Sequence, residues 1–130
     1  MTNDAKQRRV LVVDDEPLIR TILARALTDI GLVVDLAEDG RQGLARVREH
    51  VPRVVVLDLM MPNMDGLAFI DSCRSMPRCV HIPIILMSSE ASLVTAQPRL
   101  AGKGVVVLMH KPFDLDTMLE LVRRLSEPSG

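Results

Sequence analysis

Acidic residues follow two short apolar runs of the sequence, in positions where they could bind a metal ion. Asp14 and Asp15 come directly after residues 10–13, and Asp58 comes directly after residues 54–57. Carboxylates that are brought together repel one another, and the repulsion is normally relieved by a cation or by raised pKa values. Because no Cys or His lies near them, these oxygen ligands favour magnesium or manganese over zinc. Magnesium held by few carboxylates recruits phosphate oxygens, which indicates phosphoryl chemistry.

Two further polar residues, Ser88 and Lys111, also follow apolar runs, at residues 83–87 and 105–109. A lysine neutralises charge on a transferring phosphoryl group, and a hydroxyl donates to one of its oxygens. Taken singly, these residues and the acids have simpler explanations as turn residues, solvated charges or complements to a helix dipole. Their joint occurrence at the ends of apolar runs favours one shared site.

The spacing of apolar residues predicts the elements that must hold these side chains. Five short apolar runs alternate with segments of helical periodicity, and Gly31, Pro52 and Pro77 end three of those segments. This alternation predicts an α/β fold, a doubly wound parallel five-stranded sheet of the flavodoxin-like (βα)5 kind with strand order 2-1-3-4-5. In that order strands one and three are neighbours, so Asp14 and Asp58 converge with Asp15 at one edge of the sheet.

The segment between the fourth and fifth strands carries the weakest helical pattern. Residues 91–100 include Pro98, which lacks a backbone donor and clashes with the preceding turn of a helix. We therefore expect a fourth helix that is short, bent or mobile.

The two cysteines indicate no special chemistry. Cys73 and Cys79 have no second Cys or His cluster at ligand spacing, so the sequence predicts neither a zinc site nor a disulfide framework. We expect both to be packing or surface residues.

The composition limits the kind of partner. At 130 residues, 48% of them hydrophobic and 25% charged, the chain is predicted to be one globular domain. The net charge of -1, without a basic stripe or interleaved aromatics, predicts no direct nucleic acid or membrane partner and favours a protein partner. Without an apolar segment of about 20 residues or the apolar core of a signal peptide, we expect a cytoplasmic location.

The ordered motifs resemble those of the receiver domain of two-component response regulators. The motifs are Val12-Val13-Asp14-Asp15-Glu16, Asp58-Leu59-Met60-Met61-Pro62-Asn63-Met64-Asp65-Gly66, Ser88, and Lys111-Pro112-Phe113. The resemblance covers roughly residues 8–126 and implies one receiver domain over residues 1–130, with 127–130 as a tail. It implies a phosphoacceptor signalling domain rather than an enzyme. Such a domain takes a phosphoryl group from a sensor histidine kinase or phosphotransfer protein and then switches a protein-protein interaction surface.

The resemblance also implies the roles of the acidic residues. Asp58 would be the nucleophile that becomes an aspartyl phosphate. Asp15, Asp58 and the backbone carbonyl of Met60 would bind Mg²⁺ or Mn²⁺ directly, and Asp14 would act through water. The acidic cluster predicted from the strand ends would then be the metal site of the phosphorelay.

The remaining roles implied by the resemblance concern the phosphoryl group and its signal. Lys111 would pair with the phosphoryl group and Asp58, Ser88 would be the switch hydroxyl, and the backbone N–H of Ser89 would contribute to the phosphate pocket. The Lys111-Pro112 bond is expected to be cis. The family usually has Tyr or Phe three residues before the lysine, where this chain has Leu108, so an aliphatic side chain would have to transmit the signal.

Two alternative functions stay open at this point. One is a receiver-like interaction module whose output does not depend on phosphorylation, which the substitution at Leu108 and the unusual fourth helix suggest. The other is a flavin or nucleotide binder on the same fold, although that function needs a phosphate cradle after strand one, where Asp14, Asp15 and Glu16 would repel phosphate. In the phosphoacceptor hypothesis, the further partner is a downstream protein, an output domain or a second copy of the chain.

Overall fold

The computed structural model describes residues 8–128, which form one parallel sheet with helices on both faces. The elements in chain order are β1 (Arg9–Val13), α1 (Pro17–Asp29), β2 (Val33–Ala37), α2 (Gly40–Glu49), β3 (Val54–Asp58), α3 (Gly66–Arg74), β4 (Ile84–Ser88), α4 (Glu90–Leu100), β5 (Val105–His110) and α5 (Leu115–Leu125). The strand order is β2-β1-β3-β4-β5, and every pair is parallel. The predicted doubly wound α/β fold is confirmed.

Local signals in the sequence set the helix ends. α1 begins at Pro17, whose missing N–H would have no partner in a first turn, and it is followed by Gly31 at φ +96. The other four helices each begin after a side chain that accepts a backbone N–H, namely Asp39, Asp65, Ser89 and Asp114. Within residues 8–128, no helix has both the length and the apolar character needed to cross a membrane.

The core consists of two apolar layers, one on each face of the sheet. Alternate residues of the strands supply both layers, and β3 and β4 are buried along their whole length. Helices α2, α3 and α4 cover one face, while α1 and α5 cover the other. Coverage on both faces explains why these strands appear in the sequence as unbroken apolar runs.

The fourth helix occupies the segment predicted for it, and Pro98 does not shorten it. α4 has 11 residues and continues past Pro98 to Leu100, so the expectation of a short helix is wrong. Pro98 lies in the last turn, where its missing N–H removes only one helical hydrogen bond. The buried side chains of Leu93, Ala96 and Leu100 hold the helix against the core.

The expectation for the two cysteines is also wrong in part. Cys73 and Cys79 are fully buried in the core, but they are joined as a disulfide. The chain after α3 folds back through tight turns, with the N–H of Met76 donating to Cys73 and the N–H of Cys79 donating to Met76. These turns bring the two Cα atoms to 5.1 Å, a closeness that the spacing of six residues does not reveal.

Candidate functional site

The acidic site lies at the carboxyl ends of β1 and β3. Val13 pairs with Leu57 in register, so the next residues, Asp14 and Asp58, lie side by side. Both are buried, with exposed fractions of 0% and 4%. One carboxylate oxygen each from Asp14, Glu16 and Asp58 lies within 4.8 Å of the others. The two aspartates converge as the topology predicts, and the third carboxylate of this group is Glu16.

Asp15 is exposed beside this group. It is not one of the three mutually close carboxylates, but it lines the same surface pocket. The pocket is lined by Asp15, Glu16, Asp58, Met60, Ser88, Ser89 and Lys111. Residues from the ends of β1, β3, β4 and β5 therefore meet at one opening. Of the residues selected from the sequence, all but the buried Asp14 line this pocket, and Asp14 lies directly behind it.

Lys111 provides the positive charge of the site. Its Nζ lies 3.0 Å from Asp14 Oδ2, 3.0 Å from Glu16 Oε1 and 3.4 Å from Asp58 Oδ2. The backbone N–H of Lys111 donates to the Ser88 carbonyl, and the Lys111-Pro112 bond is cis, as expected from the resemblance. One ammonium thus faces three carboxylates, which leaves the cluster net negative when all are ionised.

The excess of carboxylates over ammonium groups shifts pKa values in the site. Burial, together with the nearby charge of Asp14, raises the pKa of Asp58 to about 6, although Lys111 and the Met60 N–H oppose the shift. Burial disfavours the charge of Lys111, but its bonds to Asp14 and Glu16 and the charge of Asp58 outweigh burial and raise the Lys111 pKa. Without another cation, the ionised form of Asp58 is therefore disfavoured relative to that of an ordinary aspartate.

The donor set of the cluster fits a hard divalent cation. Every candidate ligand is a carboxylate or carbonyl oxygen, the ligand type preferred by magnesium, manganese and calcium. Both Asp14 oxygens are engaged, since Oδ1 accepts from the Glu16 N–H at 2.9 Å and Oδ2 from Lys111 at 3.0 Å. Asp58 has weaker contacts at 3.3 Å to the Met60 N–H and 3.4 Å to Lys111, so its oxygens are the more available ones.

The hydroxyl predicted for the site, Ser88, ends β4 at the same edge. Ser88 is 2% exposed and pairs in register with His110, the residue before Lys111. The next residue, Ser89, is exposed and begins α4, where its side chain accepts the N–H of Ser92 at 3.3 Å. The pocket is thereby connected directly to the first turn of α4.

Two residues important for the shape of the site were not selected from the sequence. Glu16 supplies the second carboxylate hydrogen bond to Lys111, and its place after two aspartates was the available signal. Gly66 starts α3 so close to β3 that a Cβ there would lie 2.8 Å from the Asp58 carbonyl oxygen. Its N–H donates to Leu59 at 2.8 Å. Only glycine allows this close approach without a shift of the backbone.

The comparison with protein families decides the identity of the domain. Residues 10–123 match the family described as the response regulator receiver domain. The chain belongs to this family. A receiver domain is the phosphoacceptor signalling domain of two-component systems, and phosphorylation and magnesium are features of the family.

Sequence relatives of this receiver domain are response regulators. It is 38% identical over 119 residues to the response regulator MprA of Mycolicibacterium vanbaalenii, covering 90% of this chain and 49% of that protein. It is 37% identical over 119 residues to the transcriptional regulatory protein TcrA of Mycobacterium tuberculosis, covering 91% of this chain and 46% of that protein. The chain spans about half the length of these curated relatives.

Solved structures agree with the assignment. The receiver domain matches the chemotaxis response regulator CheY4 of Vibrio cholerae with a TM-score of 0.83 and 31% identity, covering 92% of this chain and 99% of that chain. This similarity supports the flavodoxin-like strand order independently of the motifs at the strand ends.

Proposed function

We propose that this receiver domain accepts a phosphoryl group on Asp58 from a sensor histidine kinase or a histidine phosphotransfer protein. In this step a carboxylate oxygen of Asp58 attacks phosphorus, the bond between phosphorus and the donor histidine nitrogen breaks, and an aspartyl phosphate forms. The observation that carries the proposal is the position of Asp58. It lies at the end of the central strand, in a pocket that also contains a lysine, a hydroxyl and other carboxylates.

A divalent cation, Mg²⁺ or Mn²⁺, would be held by Asp15, Asp58 and the backbone carbonyl of Met60, with Asp14 acting through water. The bound cation supplies positive charge that stabilises the phosphoryl oxygens and offsets repulsion between the carboxylates. The excess of carboxylates over the single ammonium of Lys111 supports this assignment. So does the raised pKa of Asp58, because a neighbouring cation favours the ionised form that acts as nucleophile.

The other pocket residues would position the phosphoryl group. Lys111, already 3.4 Å from Asp58 Oδ2, would pair its ammonium with a phosphoryl oxygen. The Ser88 hydroxyl and the Ser89 N–H would each donate a hydrogen bond to another oxygen. Donors fixed in place before reaction stabilise developing charge without reorganising, which is the usual basis of catalysed phosphoryl transfer.

Phosphorylation would change the surface formed by α4 and β5. Ser88 directly precedes Ser89, the N-cap residue of α4, so a new hydrogen bond from the Ser88 hydroxyl to the phosphoryl group would move the start of that helix. Leu108, which pairs with Leu86, is half-buried and packs against the core layer under α4. Repacking of this aliphatic side chain would therefore take the place of the Tyr or Phe ring that the resemblance to receiver domains leads us to expect at this position.

The proposed partner of this surface is a protein. It would be a downstream target, an output domain such as the name of TcrA suggests for that relative, or a second copy of the chain. We assign residues 1–130 to a single receiver domain, with a core of about 8–126. This domain would act in the cytoplasm, without direct nucleic acid or membrane contacts.

Intact-mass spectrometry after incubation with a small acyl phosphate tests the proposal. The wild type should gain one phosphoryl group only when Mg²⁺ is present, and Asp58→Asn should gain none. Asp29→Asn, an exposed position at the end of α1, is the matched control and should behave as the wild type. A folded wild type that gains no mass, with rapid hydrolysis excluded by a time course, would contradict the proposal and favour the phosphorylation-independent module.

A further inference from the structure

The Cys73–Cys79 disulfide lies at the amino-terminal edge of the sheet, away from Asp58. It joins the last turn of α3 to the segment of residues 75–83 that leads into β4. Both sulfur-bearing residues are fully buried, while most of residues 75–81 are exposed. The disulfide therefore anchors a mostly exposed loop to the core.

Arg74, the residue after Cys73, connects this loop to a second one. Its Nη1 donates to the carbonyl of Cys79 at 2.8 Å and to that of Val80 at 3.3 Å. Its Nε donates to Lys103 at 2.6 Å and its Nη2 to Gly104 at 3.2 Å. One guanidinium thus joins the loop closed by the disulfide to the loop between α4 and β5.

A second contact ties the same turn of α3 to the α4–β5 loop. The Lys103 Nζ lies 2.7 Å from Asp71 Oδ1, one helical turn before Arg74. Because both ends of this pair are about half exposed, it contributes little by itself. The four carbonyl bonds of Arg74 are therefore the main link, and two of them depend on where the disulfide holds residues 79 and 80.

We propose that Cys73, Cys79 and Arg74 form a redox latch on the α4–β5 loop. With the disulfide formed, the carbonyls of residues 79 and 80 fix the Arg74 guanidinium, which in turn holds residues 103 and 104. With the two thiols free, the loop of residues 75–82 separates more readily from α3, the guanidinium loses two of its acceptors, and the α4–β5 loop opens more often.

The chemistry of the latch is thiol-disulfide exchange with a low-molecular-weight disulfide such as oxidised glutathione. One cysteine thiolate attacks that disulfide and releases one thiol, leaving a mixed disulfide. The second cysteine then attacks the mixed disulfide, releases the second thiol and forms the Cys73–Cys79 bond, with both protons passing to the buffer or to the released thiols. The protein loses two electrons, and the small disulfide gains them.

Both redox states fit the fold. The Cys73 sulfur lies 3.4 Å from the Cys79 carbonyl oxygen, so in the reduced protein its thiol has an acceptor in place. Access to the buried sulfurs requires only local opening of the short exposed loop, which costs less free energy than global unfolding. In reducing compartments, disulfides of this kind are usually regulatory rather than permanent.

Hydrogen exchange followed by mass spectrometry, on the wild-type chain in oxidised and reduced form, tests the latch. Reduction should speed amide exchange in residues 76–83 and 100–105 on the order of tenfold. It should also lower the melting temperature by roughly 5 to 10 °C. Non-reducing mass spectrometry should show the loss of two hydrogens on treatment with oxidised glutathione.

Two variants separate the covalent bond from its coupling to α4. Cys73→Ala/Cys79→Ala should exchange like the reduced wild type and ignore the redox buffer. Arg74→Lys, which keeps a charge but lacks the branched guanidinium, should still form the disulfide yet lose the redox response in residues 100–105 while keeping it in residues 76–83. Two free thiols after oxidation, or equal exchange of residues 100–105 in both wild-type states, would overturn the proposal.

Discussion

The two edges of the sheet differ in the groups that surround a cationic side chain. At the carboxyl edge, the Lys111 ammonium faces the carboxylates of Asp14, Glu16 and Asp58. At the amino edge, every acceptor of the Arg74 guanidinium within the described residues is a backbone carbonyl. Burial lowers the pKa of Arg74, whereas the carboxylates raise that of Lys111 despite its burial. The carboxyl edge thus has excess negative charge, whereas at the amino edge one cation is bound by neutral acceptors.

This difference separates a reactive arrangement from a structural one. Carbonyl dipoles satisfy the donors of Arg74 without adding negative charge, so they provide no carboxylate ligand for a metal ion. The carboxylates around Lys111 exceed it in charge, so the carboxyl edge gains from a further cation and its ionisation responds to pH. Among the described residues, a cluster of carboxylates that exceeds its cation in charge is thus a better indicator of a metal or phosphoryl site than burial alone.

The largest effect is expected from removing the cation at the amino edge. Arg74→Met leaves four carbonyls without their charged donor and should lower the free energy of unfolding by about 2–4 kcal/mol. Urea unfolding followed by circular dichroism measures it, because the chain has no Trp or Tyr to report by fluorescence. Arg124→Met on the exposed face of α5 should stay within about 0.5 kcal/mol of wild type. Loss of phosphoryl uptake with unchanged stability would contradict the structural role of Arg74.

Removing a charge at the carboxyl edge should instead stabilise the fold. The folded pKa of Asp58, about 6, lies above the ordinary value of 3.8. Protonated Asp58 therefore makes its full contribution to the stability of the folded state below pH 3.8. That contribution is lost as the pH rises through about 6, where Asp58 ionises in the folded protein. In metal-free buffer, Asp58→Asn should gain about 1–3 kcal/mol at pH 7.5 and almost nothing at pH 3.5. An equal gain in stability at both pH values, or no gain at pH 7.5, would show that ionisation of Asp58 does not destabilise the folded protein.

The balance of charge at the carboxyl edge should also control metal affinity. Lys111→Met removes the cation that competes for the carboxylates, so Mg²⁺ should bind about 3- to 10-fold more tightly. The same variant should lose phosphoryl uptake, since the proposed partner of the phosphoryl group is gone. Isothermal titration calorimetry with magnesium chloride measures the affinity, and Lys103→Met at the other edge is the control. Weaker magnesium binding in Lys111→Met would contradict the competition between the two cations.

The smallest effect is expected at Glu16, whose side chain is 57% exposed. Glu16→Gln keeps a hydrogen-bond acceptor for Lys111 but removes one negative charge that solvent already screens. Magnesium affinity should therefore fall only about 2- to 3-fold. Glu127→Gln, paired with Arg123 on α5, should leave it unchanged. A much larger loss of magnesium affinity would mean that Glu16 is a direct metal ligand.

Most of the fold could be predicted from the sequence because its signals are local. Apolar runs, helical periodicity and residues such as Pro17 and Gly31 specify the elements, and the rules for parallel sheets then specify the strand order. The convergence of Asp14 and Asp58 followed from that order. The contact between Glu16 and Lys111 joins residues 95 positions apart and depends on side-chain reach, so the order alone could not predict it.

The two wrong expectations both concern what tertiary structure adds. Pro98 is unfavourable in a helix interior, but the burial of Leu93, Ala96 and Leu100 outweighs the single lost bond near the end of α4. The spacing of Cys73 and Cys79 is compatible with many loop conformations, and only the successive turns after α3 bring them together. The residues that flank Pro98 do not reveal how firmly α4 packs on the core, and those between the two cysteines do not specify the turns that join them.

The most direct test of the phosphoacceptor assignment locates the phosphoryl group on the chain. After phosphorylation with magnesium, borohydride reduction converts an aspartyl phosphate to homoserine. Sequencing of the peptides over residues 10–20 and 54–74 by tandem mass spectrometry then identifies the position. The proposed mechanism predicts homoserine at position 58 and unmodified acids at positions 14, 15 and 16. Homoserine at position 14 or 15, or hydroxynorvaline, the reduction product of a glutamyl phosphate, at position 16, with Asp58 unmodified, would contradict the assignment of Asp58 as the phosphoacceptor.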